Sequence, residues 1–117
     1  MLSLSLPLEI WLCVEPTDMR CGYDRLAQRA HEHARRDVLA GGLFVFFNRR
    51  RDRVKLLYWD QDGYAMWQKR LEAGRFELPR LAADYQSVTL SQKQLAMILW
   101  GVDLTSVRMR KRYTRPA

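Results

Sequence analysis

Four arginines stand in one short connection of the stretch "FVFFNRRRDRVKLLYWDQDG", residues 44–63. Arg49, Arg50, Arg51 and Arg53 occupy four of the five consecutive positions 49–53, and Asp52 is the fifth residue and the only acidic one among them. A turn needs Gly, Asn or Asp for its backbone conformation, but it does not need guanidinium groups. Arginine is suited to phosphate because its planar fork can donate two parallel hydrogen bonds. The cluster, to which Lys55 adds one more charge, therefore predicts either a solvated hairpin tip or a phosphate-binding device.

A second basic cluster lies near the end of the chain, where "LTSVRMRKRYTRPA" contains no acidic residue. Its basic members are Arg108, Arg110, Lys111, Arg112 and Arg115. Tyr113 stands among them, outside any expected core, and could stack on a nucleic acid base. The chain has 20 Lys and Arg against 13 Asp and Glu, a net charge of +7. This balance favours an acidic partner, most often nucleic acid, and both clusters are predicted to bind DNA.

The sequence offers little support for catalysis or metal binding. It has neither a glycine-rich phosphate loop nor a dinucleotide fingerprint. His31 and His33 are two residues apart, which on a helix points them about 200° away from each other and prevents a shared metal site. Asp60 and Asp62 could hold Mg²⁺ for phosphodiester cleavage, but in "DQDG" such residues are typical of a turn. We therefore predict no enzyme, no metal and no cofactor.

Cysteine content and hydropathy favour a cytoplasmic protein. Cys13 and Cys21 are the only cysteines, and two cysteines do not make a disulfide framework, so both are predicted to be reduced thiols. The apolar start "MLSLSLPLEIWLCV" lacks a basic segment and is interrupted by Pro7 and Glu9, unlike a signal peptide. No apolar run reaches the roughly 18 residues that cross a bilayer. We expect no membrane partner and no small-molecule substrate.

The first half of the chain predicts a strand followed by a helix. Residues 9–14, "EIWLCV", are short and apolar, which is typical of a buried strand that Pro16 would end. Thr17 or Asp18 could cap the following helix through a side-chain oxygen. The helix itself is indicated by apolar residues on one face, namely Tyr23, Leu26, Ala27, Ala30 and Ala34.

The middle of the chain predicts a series of neighbouring antiparallel strands. Residues 43–48 and 53–59 are rich in strand-forming residues and should pair as a hairpin with the arginines at its tip. Residues 64–71 fit a helix or a strand by periodicity, and the turn that follows them favours a strand. The run "RFELP", ended by Pro79, is predicted to be a further short strand.

The last regular element is predicted with the strongest local signal. After a connection over 80–88, Ser91 and Gln94 match the capping-box pattern at a helix start. The apolar face of this helix would consist of Leu95, Ile98, Leu99 and Val102, and Gly101 would end it. The prediction for the whole chain is a single α+β domain over 1–104, an antiparallel meander of four to five strands with two main helices. Residues 105–117 are predicted to form a basic tail.

Three stretches together resemble a known protein family. They are "TDMRCGYDRLA" (17–27), the long stretch from "LFVFFNRRRDRVKLLYWD" to "KRLEAGRFELP" (43–79), and "LSQKQLAMILWGVD" (90–103). In this order they resemble the TnpB accessory proteins of the insertion-sequence-66 family of bacterial mobile elements. The resemblance implies a small protein, encoded beside a larger transposase, that supports transposition and has no assigned catalytic activity. It also implies that Arg50, Arg51, Arg53 and Lys55 occupy positions that are basic in the family.

Two functions remain open at this point. The chain is predicted to be a non-catalytic accessory factor for transposition that binds DNA through the hairpin tip and the tail. Alternatively, it is an adaptor whose basic surface binds an acidic face of the transposase without touching DNA, because electrostatic complementarity would serve either partner. DNA and the element-encoded transposase are therefore the two expected partners.

Overall fold

A computed structural model describes residues 8–80 and 85–101 of the 117-residue chain. Within these ranges the chain forms a five-stranded sheet with one α-helix packed on each face. The strands are β1 (Ile10–Cys13), β2 (Leu43–Phe47), β3 (Arg53–Asp60), β4 (Gly63–Arg70) and β5 (Ser87–Leu90). The helices are α1 (Tyr23–Ala34) and α2 (Gln92–Trp100), and a short 3-10 turn spans Val38–Ala40.

The sheet is mixed, with the strand order β4-β3-β2-β1-β5. β2, β3 and β4 form the predicted antiparallel meander, and residues 64–70 are strand, as the turn after them indicated. β1 pairs parallel with β2, and α1 lies in the connection between them because parallel neighbours need a long crossover. The α+β class with two main helices is confirmed, whereas the meander accounts for only three of the five strands.

One predicted strand was wrong and another was missed. "RFELP" is not a strand; its Phe76 is buried against Phe47, with ring centroids 5.3 Å apart, and its backbone N–H donates to the carbonyl of Arg51 at 2.7 Å. The missed strand is β5, whose first two residues lie in the predicted connection over 80–88 and which pairs antiparallel with β1. The extended segment around Phe76 thus covers the sheet instead of joining it.

Two apolar cores lie on opposite faces of the sheet. On one face, Leu26, Ala30 and Ala34 of α1 are buried in one cluster with Phe44 and Phe46 of β2 and Leu57 of β3. On the other face, α2 and Phe76 cover the remaining core residues. This arrangement follows from the alternation of side chains along a strand, since β2 is apolar at every position and must be covered on both sides.

The two helices begin in different ways. At α2 the predicted capping box is confirmed: the Ser91 hydroxyl accepts from the Gln94 N–H at 3.0 Å, and the Gln94 side chain accepts from the Ser91 N–H at 2.8 Å. The predicted cap of α1 was wrong, because the N-cap residue is Gly22 and makes no side-chain cap. Thr17, one of the two predicted cap residues, is instead buried. Val102, which was predicted on the apolar face of α2, and the predicted tail 105–117 lie outside the described residues.

Candidate nucleic-acid interface

The predicted basic hairpin tip lies at one end of the sheet and has a defined structure. The connection between β2 and β3 consists of residues 48–52. The side-chain oxygen of Asn48 accepts from the backbone N–H groups of Asp52 and Arg53, at 3.1 and 3.0 Å, while its amide group donates to the Asp52 carboxylate at 2.7 Å. Arg51 adopts the left-handed conformation with a φ of 58°, and its N–H donates to the Asn48 carbonyl. Asn48 therefore organises the turn that presents the arginines.

The tip is also held from outside by the segment that follows β4. The carbonyl of Asp52 accepts from the N–H of Leu71, and the carbonyl of Arg51 accepts from the N–H of Phe76, both at 2.7 Å. Because Phe76 is itself packed in the core, these bonds join the tip to the body of the protein. The backbones of Arg51 and Arg53 are thus held by hydrogen bonds, which lowers the entropy that ordering this part of the tip on binding would cost.

An open groove of about 670 Å³ lies beside the tip. It is bounded by the tip, by residues 16–19 of the segment before α1, and by the ends of β3 and β4 that lie near the tip. Its basic lining residues are Arg29, Arg49, Arg50, Arg53 and Arg70. Two carboxylates, those of Asp18 and Asp52, also line it. A recess of about 320 Å³ shares Met19, Arg53 and Arg70 with this groove and extends it along the face of β3 and β4. We call the larger cavity the arginine groove.

Arg29 reaches the groove from α1 and is held by neighbouring oxygen atoms. Its Nε donates to the hydroxyl of Thr17 and its terminal nitrogen to the carbonyl of Pro16, both at 3.1 Å. Thr17 is only 2% exposed, and its N–H donates to the carbonyl of Phe47 at 2.8 Å, directly before the tip. This chain of contacts connects the helix, the segment after β1 and the hairpin tip in one rigid wall.

Both carboxylates of the groove are already engaged by neighbouring side chains. Arg20 contacts Asp18 at 2.7 Å, and its hydrogen bonds lower the pKa of that carboxyl to about 2. The hydrogen bond from Asn48 is the main cause of the lowered pKa of Asp52. The two acids therefore stay ionised. Because five arginines line the same groove, its lining keeps a net positive charge.

The structure distributes the predicted DNA-binding residues in three ways. Arg49, Arg50 and Arg53 line the arginine groove, whereas Arg51 is exposed at the tip outside it. Lys55 is 9% exposed, and its ammonium donates to the carbonyls of Met19 and Cys21 at 2.7 and 2.9 Å. It therefore ties the segment before α1 to the sheet and does not extend the basic surface. The predicted residues Arg108, Arg110, Lys111, Arg112 and Arg115 lie outside the described residues.

Sequence reasoning missed Arg29 and Arg70. Arg70 stands directly opposite Arg53 in the register of β3 and β4. A signal for it existed, since pairing the two strands across the turn at Gln61 and Asp62 places these arginines side by side. Arg29 had no such signal, because it precedes the tip by 20 residues and lies away from the apolar face predicted for the helix.

The cysteines and aspartates that the sequence analysis considered for thiol or metal chemistry lie in the core, in the segment before α1 and around a turn. Cys13 and Cys21 are free thiols, and burial raises the pKa of Cys13 to about 12. Asp60, the last residue of β3, and Asp62, in the two-residue turn between β3 and β4, are both exposed. In the ranges 8–80 and 85–101, no group of three or more His, Cys, Asp or Glu side chains is placed to hold a metal ion. No helix within these ranges is long and apolar enough to cross a membrane.

The fold and the groove define a small basic α+β protein with a rigid, arginine-rich end. Comparison with protein families matches residues 8–109 to the IS66 Orf2-like protein family. The chain belongs to this family, as the resemblance implied, and membership connects it with an accessory role in the transposition of insertion sequences.

The chain is also similar to two proteins of Sinorhizobium fredii. The chain is 36% identical over 96 residues to a protein described as "Uncharacterized protein y4hO", and the match covers 82% of each chain. It is 31% identical over 116 residues to "Uncharacterized protein y4jC", covering 99% of this chain and 97% of the relative. No solved structure matches the chain.

Proposed function

We propose that this protein is a non-catalytic accessory factor for the transposition of a bacterial insertion sequence, and that it binds DNA phosphates in the arginine groove. The observation that carries the proposal is the convergence of five arginines from three separate parts of the chain on one open groove. Family membership supplies the transposition context, and DNA binding is our own inference from the charge and its placement.

The groove has the chemistry that a phosphodiester backbone requires. Guanidinium groups stay charged at any physiological pH and can donate two hydrogen bonds to one phosphate. Arg53 and Arg70 come from neighbouring strands and Arg29 comes from α1, so the positive charge is spread across a surface and not confined to one flexible loop. Phosphate contacts carry no base information, so binding is expected to be independent of sequence.

A salt-dependent titration tests this function. With about five phosphates neutralised, the logarithm of the association constant should fall against the logarithm of salt with a slope near −4.5, a loss of roughly 500-fold between 50 and 200 mM salt. Duplexes from the end of the insertion sequence and of scrambled sequence should bind equally well. The basic tail, residues 105–117, is proposed to contribute in parallel, so its deletion should flatten the slope by a few units.

The same titration with purified transposase separates DNA binding from the adaptor function. If the protein binds the transposase but no DNA even at 50 mM salt, the basic surface is a protein-binding patch and the DNA proposal is wrong. If it binds DNA in the absence of the transposase, with the expected salt slope, the adaptor function does not account for the groove.

A further inference from the structure

Another cavity adjoins the arginine groove at the hairpin tip. This open recess of about 360 Å³ is lined by Arg50, Asp52, Gly74 and Arg75, and we call it the Arg75 recess. Its volume is more than ten times the roughly 30 Å³ that a water molecule occupies in the liquid, so a phosphate group fits inside. Arg50 and Asp52 also line the arginine groove, so the two cavities meet at the tip.

Arg75 is held beside the tip by the residues that precede and follow it. Gly74 adopts a left-handed conformation with a φ of 77°, which favours glycine and bends the chain. The N–H of Phe76 donates to the carbonyl of Arg51, and its ring packs against Phe47 in the core. Arg75 itself is exposed. The structure therefore fixes the backbone of this arginine next to the tip and leaves its side chain open to solvent.

The lining of the recess carries more positive than negative charge. Two arginines face one carboxylate, that of Asp52, which already accepts a hydrogen bond from the Asn48 amide at 2.7 Å. Two further acids, Glu72 and Glu77, follow β4 in the chain. Glu72 is ion-paired with Arg70 at 2.9 Å, and Glu77 is not part of the lining. The recess therefore has the same sign of charge as the arginine groove.

We infer that the Arg75 recess is a second phosphate-binding site, continuous with the arginine groove, in which Arg75 contacts the DNA backbone. The inference rests on the proposed function, because the groove must bind DNA for a backbone to reach the recess. Since Arg50 lines both cavities, a backbone that follows the groove to this arginine enters the recess without leaving positive charge. The guanidinium group of Arg75 can then donate two hydrogen bonds to one phosphate.

The recess lengthens the basic path around the tip. The cavity beside β3 and β4 joins the arginine groove at Arg53 and Arg70, and the Arg75 recess joins it at Arg50. The three cavities thus form one path with an arginine at each junction. Arg50 should contribute to DNA binding at least as much as Arg75, because it borders both the groove and the recess.

The salt dependence of DNA binding tests the role of Arg75. Arg75→Gln should lower the magnitude of the salt slope by about 0.9, because one phosphate contact is lost. Between 50 and 200 mM salt the parent should then lose about 3.5-fold more affinity than the variant. Arg75→Lys keeps the charge and should keep the slope. Lys93→Gln removes one charge from the exposed first turn of α2 and should leave the slope unchanged.

A second measurement locates the contact without a substitution. In NMR spectra of the full chain at 50 mM salt, a short duplex of scrambled sequence should shift the amide signals of Gly74 and Arg75 together with that of Arg53. The amide signal of Lys93 should stay in place. In Arg75→Gln the signal of Gly74 should move less than in the parent, whereas the signal of Arg53 should move as before.

The outcomes separate this inference from the proposed function. If the intact protein binds no DNA at 50 mM salt, the proposed function is wrong and the recess has no phosphate to bind. If Arg53→Gln flattens the slope and Arg75→Gln does not, the groove binds DNA and the inference about the recess is wrong.

Two further results would also overturn the role of the recess. Equal flattening by Lys93→Gln and Arg75→Gln would assign the effect to net charge. An unmoved Gly74 signal, while that of Arg53 shifts, would place the DNA in the groove alone. If Arg75→Gln does not fold, as judged by circular dichroism, the shifts of the parent protein decide between the two.

Discussion

Arg53 and Arg70 lie directly opposite each other on β3 and β4, and their side chains point to the same face of the sheet. Like charges at directly opposed positions destabilise an antiparallel pair. The fold nevertheless holds both arginines at the wall of one groove, where Arg29 from α1 adds a third charge. Such an arrangement is expected where the positive charges serve an anionic partner and not the stability of the sheet.

The first prediction concerns this pair. Arg53→Gln and Arg70→Gln should each lower the magnitude of the salt slope of DNA binding by about 0.9, since each removes one phosphate contact. The free energy of unfolding should stay within roughly 0.5 kcal/mol of the parent or rise, because a repulsion is relieved. The exposed ion pair of Arg70 with Glu72 contributes little that could be lost. Fluorescence anisotropy over a salt series and urea denaturation measure the two quantities.

Lys93→Gln provides the control for charge alone. It removes one positive charge from the exposed first turn of α2, on the face of the sheet opposite the groove. The slope should remain unchanged in this variant. Equal effects of Lys93→Gln and Arg53→Gln would mean that net charge, and not the groove, determines binding.

The second prediction separates Lys55 from the arginines. Lys55→Met should lower the free energy of unfolding by roughly 2–4 kcal/mol, because the carbonyls of Met19 and Cys21 lose a charged donor in a largely buried site. The salt slope of DNA binding should not change, provided that the variant is measured where it is folded. Arg49→Gln should show the reverse pattern, with stability within about 0.5 kcal/mol of the parent and a flatter slope.

The third prediction concerns the turn that presents the arginines. Asn48→Ala should lower the free energy of unfolding by roughly 1–3 kcal/mol, because three hydrogen bonds within the tip are lost. Part of this loss should depend on pH. The pKa of Asp52 is lowered in the folded protein, so its stabilisation is present above the unfolded pKa of about 3.9 and fades as the pH falls further.

Denaturation at pH 6 and at pH 3 measures that dependence. The stability difference between the parent and Asn48→Ala should be smaller at pH 3 than at pH 6. Asp52→Asn removes the titrating group, so adding Asn48→Ala to it should cost the same at both values. A difference that grows in acid would assign the stabilising role to another group.

Much of the fold could be predicted because its signals are local. The hairpin of β2 and β3, with the arginine turn between two strand-forming runs, and the capping box of α2 depend on residues within a few positions of each other. β5 could not be found this way, because "SVTL" has no pattern of its own and becomes a strand by pairing with β1, more than 70 residues earlier. "RFELP" failed for the converse reason, since its strand-like composition has no neighbouring strand and its Phe76 enters the core instead.

In the candidate site, too, the residues with a local sequence signal could be predicted and those that depend on tertiary packing could not. Its charged tip was evident in the sequence, and Lys55 could have been separated from it by alternation, since Lys55 and Leu57 lie on the same face of β3 and Leu57 is fully buried. Arg29 required knowledge of how α1 packs on the sheet, which no local pattern contains. For the hairpin part of the hypothesis, the structure therefore replaces a basic tip by a groove whose wall is shared by three parts of the chain.

The last prediction is that the protein does not cleave DNA. Asp60 and Asp62, the only candidates for a metal-binding pair in the sequence, are exposed residues around a tight turn in which Gln61 has a φ of 57° and the Asp62 N–H donates to the Asp60 carbonyl. The turn conformation accounts for both residue types. Supercoiled plasmid incubated with the purified protein and Mg²⁺ or Mn²⁺ should remain intact on an agarose gel. Nicking that Asp60→Asn or Asp62→Asn abolishes, and that Glu32→Gln leaves unchanged, would instead assign the turn a catalytic role.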